Sequence, residues 1–351
     1  MKQIRLSIIG FGTVGRWLAE AIYRRRAWLE GECGVVVSVV SVATHRDGFI
    51  HRDAGLEIPS LLELVTAKRP LTDYPGVHRW ETALEGLAET ETDVLAESSN
   101  TNPREPEPSL SHIRQALKHG IHVITSSKGA CAAAALELIA LSRQRGVQFR
   151  MESTVMSGTP ILSTLREGLA GTRVIGIHGI LNGTANHILT LMAEGLDYST
   201  ALADAQTQGY AEPDPTDDVE GHDVVAKVRI LAAAAFGQAV TVDQVIRRGI
   251  TKITPDEIQQ AARDGCRIKL VASLKPRPES NNTETASTPL EARVEPSPLP
   301  LTDPLARVDG VMNALTIQTD TVREVTIIGP GAGPEQAGQG IFADLVAVAR
   351  A

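Results

Sequence analysis

Apolar and polar positions alternate at the start of the chain. Ile4, Leu6 and Ile8 are spaced by Arg5 and Ser7, and Ile9 then meets Gly10. That period of two predicts a short buried strand. Residues 16–28 predict a helix. The switch from strand to helix recurs down the first half. Strands are expected over 35–43, 92–97, 121–126 and 147–151. Helices are expected over 60–67 and 109–119, the latter closed by Gly120, and in an Ala-rich run that ends at Arg145 before Gly146. Regular alternation of this kind predicts an α/β fold built on a doubly wound parallel sheet.

The pattern changes after Met151. Residues 152–160 form a run of small residues that predicts a tight loop, and Pro160 suits the first turn of a helix to Leu169. A strand over 173–181, helices over 187–194 and 200–208, and a helix ending at Phe236 follow. Further helices are expected over 242–247 and 255–263, then a strand over 267–274. Residues 276–289 are almost devoid of apolar side chains and predict an exposed loop. A strand over 290–294, a hairpin of 311–319 with 322–328, and a last helix over 336–349 complete the chain. A second glycine loop, Gly329-Pro-Gly331-Ala-Gly333, precedes that helix. The organisation expected is a dinucleotide-binding domain over 1–150, completed by 330–351, and a second, α+β domain over 151–329.

Composition narrows the class. With 351 residues the chain has room for two domains, and its 42% hydrophobic and 22% charged content is that of a soluble globular protein. A net charge of −8 provides no basic footprint for nucleic acid. Cys33, Cys131 and Cys266 lie far apart, without metal spacing or an even disulfide count, which points to a reducing cytoplasm. An N-terminus that runs straight into a strand leads us to expect no signal peptide, and no apolar run is long enough to span a membrane.

The chemistry starts at Gly10-Phe11-Gly12-Thr13-Val14-Gly15, a GxGxxG between a predicted strand and helix. There the first glycine allows the turn, the second lets backbone approach a pyrophosphate, and the third lets helix pack on strand. No acid follows the second strand until Asp47, and Arg46 is placed to pair with a 2′-phosphate, which favours NADP over NAD; a solvated loop arginine is the other reading. Ser98, Ser99 and Lys128 fall at carboxyl ends of strands, where such sheets bind ligands. The segment from Tyr210 to Lys227 holds six acidic residues, two prolines and one lysine. Asp223 and Lys227 share a helix face, as either a surface ion pair or a catalytic pair.

Together these stretches resemble the homoserine dehydrogenase family over nearly the whole chain. The motifs are GFGTVG at 10–15, Ser127-Lys128, ESTVMSGTP at 152–160, LNGTANHIL at 181–189, YAEPDPTDDVEGHDVVAK at 210–227, ARVEP at 292–296, VDGVMNAL at 308–315 and GPGAG at 329–333. The resemblance implies Lys227 as proton donor, Asp223 as the residue that orients it, and Lys128 at the junction of cofactor and substrate. It implies Glu212 and Asp218, with Gly183 and Thr184, as substrate-binding residues. Phe11, Thr13, Val14, Ser98 and Gly333 are implied as cofactor contacts. Backbone carbonyls of Glu152, Val155, Ser157 and Thr159 are implied as sodium ligands, and a homodimer as the assembly. Ser127 departs from the asparagine the family usually carries there. The resemblance is to the single-function form, without an aspartate kinase or a C-terminal regulatory domain. The implied reaction interconverts L-aspartate 4-semialdehyde and L-homoserine with NADP or NAD. Two alternatives stay open: another Rossmann amino-acid or aldehyde dehydrogenase, and a sensor that binds NADP without turnover.

Overall fold

The computed structural model describes residues 1–99, 102, 104–277 and 288–351, so most of the loop expected at 276–289 lies outside the described residues. The chain divides into two compact units, 1–158 with 333–351, and 159–332. The first unit runs β1 (Lys2–Ile9), α1 (Thr13–Arg24), α2 (Arg26–Cys33), β2 (Val35–Thr44), β3 (Gly48–His51), α3 (Ile58–Thr66), β4 (His78–Trp80) and α4 (Ala83–Glu89). It continues with β5 (Val94–Glu97), α5 (Ser109–Lys118), β6 (His122–Thr125), α6 (Lys128–Arg145), β7 (Phe149–Arg150) and the one-turn α7 (Ser153–Met156).

Its sheet has the order β4-β3-β2-β1-β5-β6-β7. From β2 to β7 every pairing is parallel. The expected parallel sheet gains an antiparallel edge, because β3 folds back on β2 and β4 on β3. Phe49 and Ile50 of β3 are fully buried, but strands of four and three residues are too short for a period to be read. The helix expected over 16–28 is two helices broken at Arg25. Leu6 and Ile8 of β1 and Leu18 of α1 are fully buried and belong to one core cluster.

The second unit runs β8 (Val174–Ile180), α8 (Gly183–Ala193), α9 (Tyr198–Thr207), α10 (Thr216–Val219), α11 (His222–Phe236), β9 (Val245–Arg247) and α12 (Pro255–Arg263). Then come β10 (Cys266–Pro276), β11 (Leu290–Pro300), β12 (Met312–Thr319) and β13 (Arg323–Pro330). Its sheet order is β13-β12-β8-β10-β11-β9. The pairs are antiparallel except β11 with β9. The last helix, α13 (Pro334–Arg350), belongs to the first unit, where Ile341, Leu345 and Val348 join the core of β1 and α1.

The structure departs from four of the expected elements after Met151. The helix expected over 242–247 is a 3₁₀ turn followed by β9, because 245–247 find a strand partner in 292–294. The loop expected at 152–160 contains α7, and the helix after it is a π-helical stretch, Thr164–Gly168. The strand expected over 290–294 continues to Pro300 despite Pro296, Pro298 and Pro300. The Leu301 N–H donates to Gly265 O in the turn at the foot of β10. Odd-numbered N–H groups of β11 therefore face β10, and the prolines sit at even positions facing away. They remove no bond from that ladder.

Candidate active site

The fingerprint turn is built from close backbone approaches. Gly10 has φ 91° and lies against the 98–99 peptide, where a Cβ would overlap main chain. Gly10 N–H donates to Ala43 O at 2.9 Å, Ser98 N–H to Ile9 O at 2.8 Å, and Ser98 Oγ to Gly10 O at 2.8 Å. Gly15 lies on Gly10 O, with no room for a Cβ, whereas a Cβ on Gly12 would meet nothing within 4 Å. The first and third glycines thus serve packing, and the second leaves open surface. No side chain caps α1 at Gly12, so the helix dipole and first N–H groups are available to an anion. Phe11 is buried, Val14 half-buried and Thr13 exposed at this end.

Neighbouring strands end on the same edge of the sheet. Ser99 is exposed and donates to Glu97, a fully buried carboxylate that also accepts from Thr125 Oγ1 at 3.5 Å and lies 3.5 Å from His112 Nδ1. Lys128 opens α6 and is half-buried. Before it, Ser127 is fully buried, and its hydroxyl has no partner among the described residues. Arg46 is exposed in the β2–β3 turn, where Thr44 Oγ1 donates to Asp47 Oδ2 at 2.9 Å.

In the second unit, α11 presents Asp223 and Lys227 one turn apart. They are 6% and 5% exposed, so this is not a surface pair. Lys227 Nζ lies 2.7 Å from Asp223 Oδ2 and donates to Leu181 O at 2.6 Å. Asn182, next along, caps α8 by accepting from Ala185 N–H at 2.8 Å. Its Nδ2 donates to Asp218 Oδ1 at 2.7 Å and to Asp223 Oδ2 at 3.2 Å. Thr184 Oγ1 donates to Tyr210 O at 2.7 Å, pinning the start of the acidic segment to α8. The structure therefore brings Asp218, Asp223, Lys227 and the 181–184 turn together. Glu212 stays exposed on the loop, its carbonyl accepting from Gln206 at 3.3 Å.

A family model described as homoserine dehydrogenase matches residues 160–346, and one described as homoserine dehydrogenase, NAD binding domain, matches 10–152. This chain belongs to the homoserine dehydrogenase family. It is 37% identical to the NAD(+)-dependent homoserine dehydrogenase of Pseudomonas canavaninivorans, over 99% of this chain and 96% of that one. It is 35% identical to the homoserine dehydrogenase of Methanocaldococcus jannaschii, over 97% and 96% of the two chains. Among solved structures, a hyperthermophilic archaeal homoserine dehydrogenase in complex with NADPH has a TM-score of 0.80 at 29% identity, covering 98% of this chain and 97% of that one. The homoserine dehydrogenase of Thiobacillus denitrificans has a TM-score of 0.81 at 32% identity, over 100% of this chain and 74% of that one. As a member of this family the chain is an NAD(P)-dependent oxidoreductase, and the alternative readings are not favoured.

The sequence did not single out Asn182, Leu181 O or Glu97, which the structure bonds to the expected site residues Asp218, Asp223, Lys227 and Ser99. Asn182 carries a local signal, since an Asn-Gly-Thr before an apolar helix reads as an N-cap; the carboxylates it reaches do not. The four residues implied as sodium ligands are all buried, and Ser157 has φ 52°, rare for a residue with a Cβ. No group of three or more His, Cys, Asp or Glu side chains suited to a metal occurs among the described residues. Gly333, φ 124°, caps the start of α13. Cys131 is fully buried in α6, and burial pushes its thiol pKa well up, which disfavours the thiolate a nucleophile needs.

Proposed function

We propose that this protein interconverts L-aspartate 4-semialdehyde and L-homoserine, with Lys227 as the proton donor. The observation that carries this is the buried Lys227–Asp223 pair, fixed by Leu181 O and the Asn182 amide. A buried ion pair held by extra hydrogen bonds has a small net worth for folding. Its placement beside an acidic loop is better explained by chemistry. A nicotinamide cofactor held by the first unit's glycine turn would supply or accept the hydride at the substrate carbon. As the aldehyde carbon gains hydride, its oxygen becomes an alkoxide. The Lys227 ammonium stabilises that charge and donates its proton; in the other direction the neutral amine takes the proton back. Asp223 holds the ammonium in place. Asp218, joined to it through Asn182, and the exposed Glu212 supply carboxylates for the substrate's α-ammonium group.

The dinucleotide reading rests on the Gly10–Gly15 turn and the uncapped start of α1, with Ser98, Ser99, Lys128 and Gly333 as further contacts. Arg46 supports NADP as the preferred cofactor, while the carboxylate of Asp47 pinned beside it is the feature that suits NAD. Main-chain carbonyls of Glu152, Val155, Ser157 and Thr159 suit a hard cation, and sodium is the ion proposed. A homodimer is supported by exposed Ile175 on β8 and Ile328 on the edge strand β13. A cytoplasmic location is supported by three unpaired cysteines.

The test is to mix purified protein with L-homoserine and either NADP or NAD, and to follow nicotinamide reduction in wild type and Lys227→Ala. Turnover in wild type that collapses by about 10³-fold in the variant, with cofactor still bound, is expected. Full activity in Lys227→Ala overturns the role of Lys227. Absence of turnover in wild type overturns the substrate.

A further inference from the structure

Asn313 stands apart from the other buried asparagines of its unit. It is fully buried on β12, opposite Gly329 of β13. Neither its Nδ2 nor its Oδ1 has a hydrogen-bond partner among the described residues. Asn186, equally buried, spends Nδ2 on Val308 O at 2.9 Å and Met312 O at 3.1 Å, and its Oδ1 accepts from Lys269 at 3.1 Å. Asn182 is bonded through both amide atoms. This unit otherwise satisfies its buried amides, as folded proteins do, because an unpaired one costs stability.

The unpaired amide faces a particular place. It lies against Gly331, so close that a Cβ there would overlap it. Asn313 thus forms one wall of the second glycine loop. The other wall is Thr159, whose Oγ1 donates to Pro330 O at 2.9 Å and which leaves no room for a Cβ on Gly329. Thr159 bonds the loop at Pro330 O, and Asn313 lies against it at Gly331 with both of its amide atoms unpaired among the described residues.

We propose that Asn313 is a positioning residue for the Gly329–Gly333 loop, its amide forming hydrogen bonds to that loop's main chain when the dinucleotide is bound. This rests on the reading that the loop serves the dinucleotide. A buried amide that gains partners only on binding ties cofactor affinity to the order of the loop.

The test separates stability from affinity. Asn313→Leu keeps the volume and removes the amide. Melting temperature without ligand, dissociation constants for NADPH and NADH, and the rise in melting temperature at saturating NADPH are measured for it and wild type. The expected result is an unliganded melting temperature equal to or above wild type, dissociation constants raised tenfold or more, and a smaller ligand-induced rise. A fall in unliganded stability with unchanged dissociation constants overturns the proposal, as it marks an amide satisfied by a buried water. Should the leucine variant not fold, Asn313→Ser is measured the same way, with the same two outcomes. Wild type that binds neither dinucleotide overturns the underlying reading; wild type that binds while both variants bind equally well overturns the proposal alone.

Discussion

The turn at Gly10–Gly15 and the cluster around Lys227 are made of different material. The first is a backbone device: its parts are absent side chains, a positive φ at Gly10 and a bare helix start. Its long-range partner, Ser98, bonds main-chain carbonyls. The second is a side-chain device, in which two carboxylates, an amide and an ammonium are held in register by charge-assisted bonds. A backbone site tolerates or rejects a substitution by volume. A charged site loses function by degrees as donors are removed. The two should therefore break differently.

The largest expected effect is Lys227→Ala, since Lys227 is the proposed proton donor and its ammonium is the cation paired with Asp223. Next is the contrast between two glycines. In Gly15→Ala the new Cβ overlaps Gly10 O, which should cost about 1–3 kcal/mol of stability and displace the start of α1, where the phosphates are proposed to bind. In Gly12→Ala the Cβ enters open space, so thermal melting should match wild type while dinucleotide affinity falls. Equal melting curves for the two variants would contradict this division of labour.

Asn182→Ala probes the charged site by degrees. It leaves Asp218 and Asp223 without a shared donor and uncaps α8, so kcat/KM for homoserine should fall by about tenfold to a hundredfold, with dinucleotide affinity unchanged. A parallel loss of dinucleotide affinity would mean that the two devices are not separable. Arg46→Ala should move the ratio of NADP to NAD efficiency by only about tenfold, because Arg46 is exposed; an unchanged ratio would remove Arg46 from the cofactor site.

The smallest effect concerns the first unit in acid. Hydrogen bonds from Arg5, two through its side chain and one through its main-chain N–H, hold the Asp93 carboxyl below its ordinary value of 3.8. An acid whose folded pKa is depressed contributes stability above its unfolded pKa, and that contribution is lost as pH falls through the folded value. Below about pH 4 wild type should lose stability that Asp93→Asn has already lost, so urea midpoints of the two should converge there. Parallel curves at all pH values would rule this out.

The elements with long, regular periods were legible: β1, β2, α5, α6 and the β12–β13 hairpin all form near their expected limits. Strands β3, β4 and β9 were not, because a strand of three or four residues carries no readable period and exists through its partner. The Asp223–Lys227 spacing was visible, but i to i+4 pairs occur equally on solvated faces. Burial removed that ambiguity, and burial is a property of what surrounds α11.

The sequence by itself determined the alternation of strand and helix, the fingerprint turn and the one-turn spacing of the acid and the lysine. These depend on local backbone sterics and on residues within a turn of one another. Only the tertiary structure decided that Leu181 O and Asn182, more than forty residues from Asp223 and Lys227, complete the cluster. It alone decided that Asn313 faces the second glycine loop without a partner. Hydrogen bonds and burial couple residues by distance in space, and for such distant pairs the fold alone sets that distance.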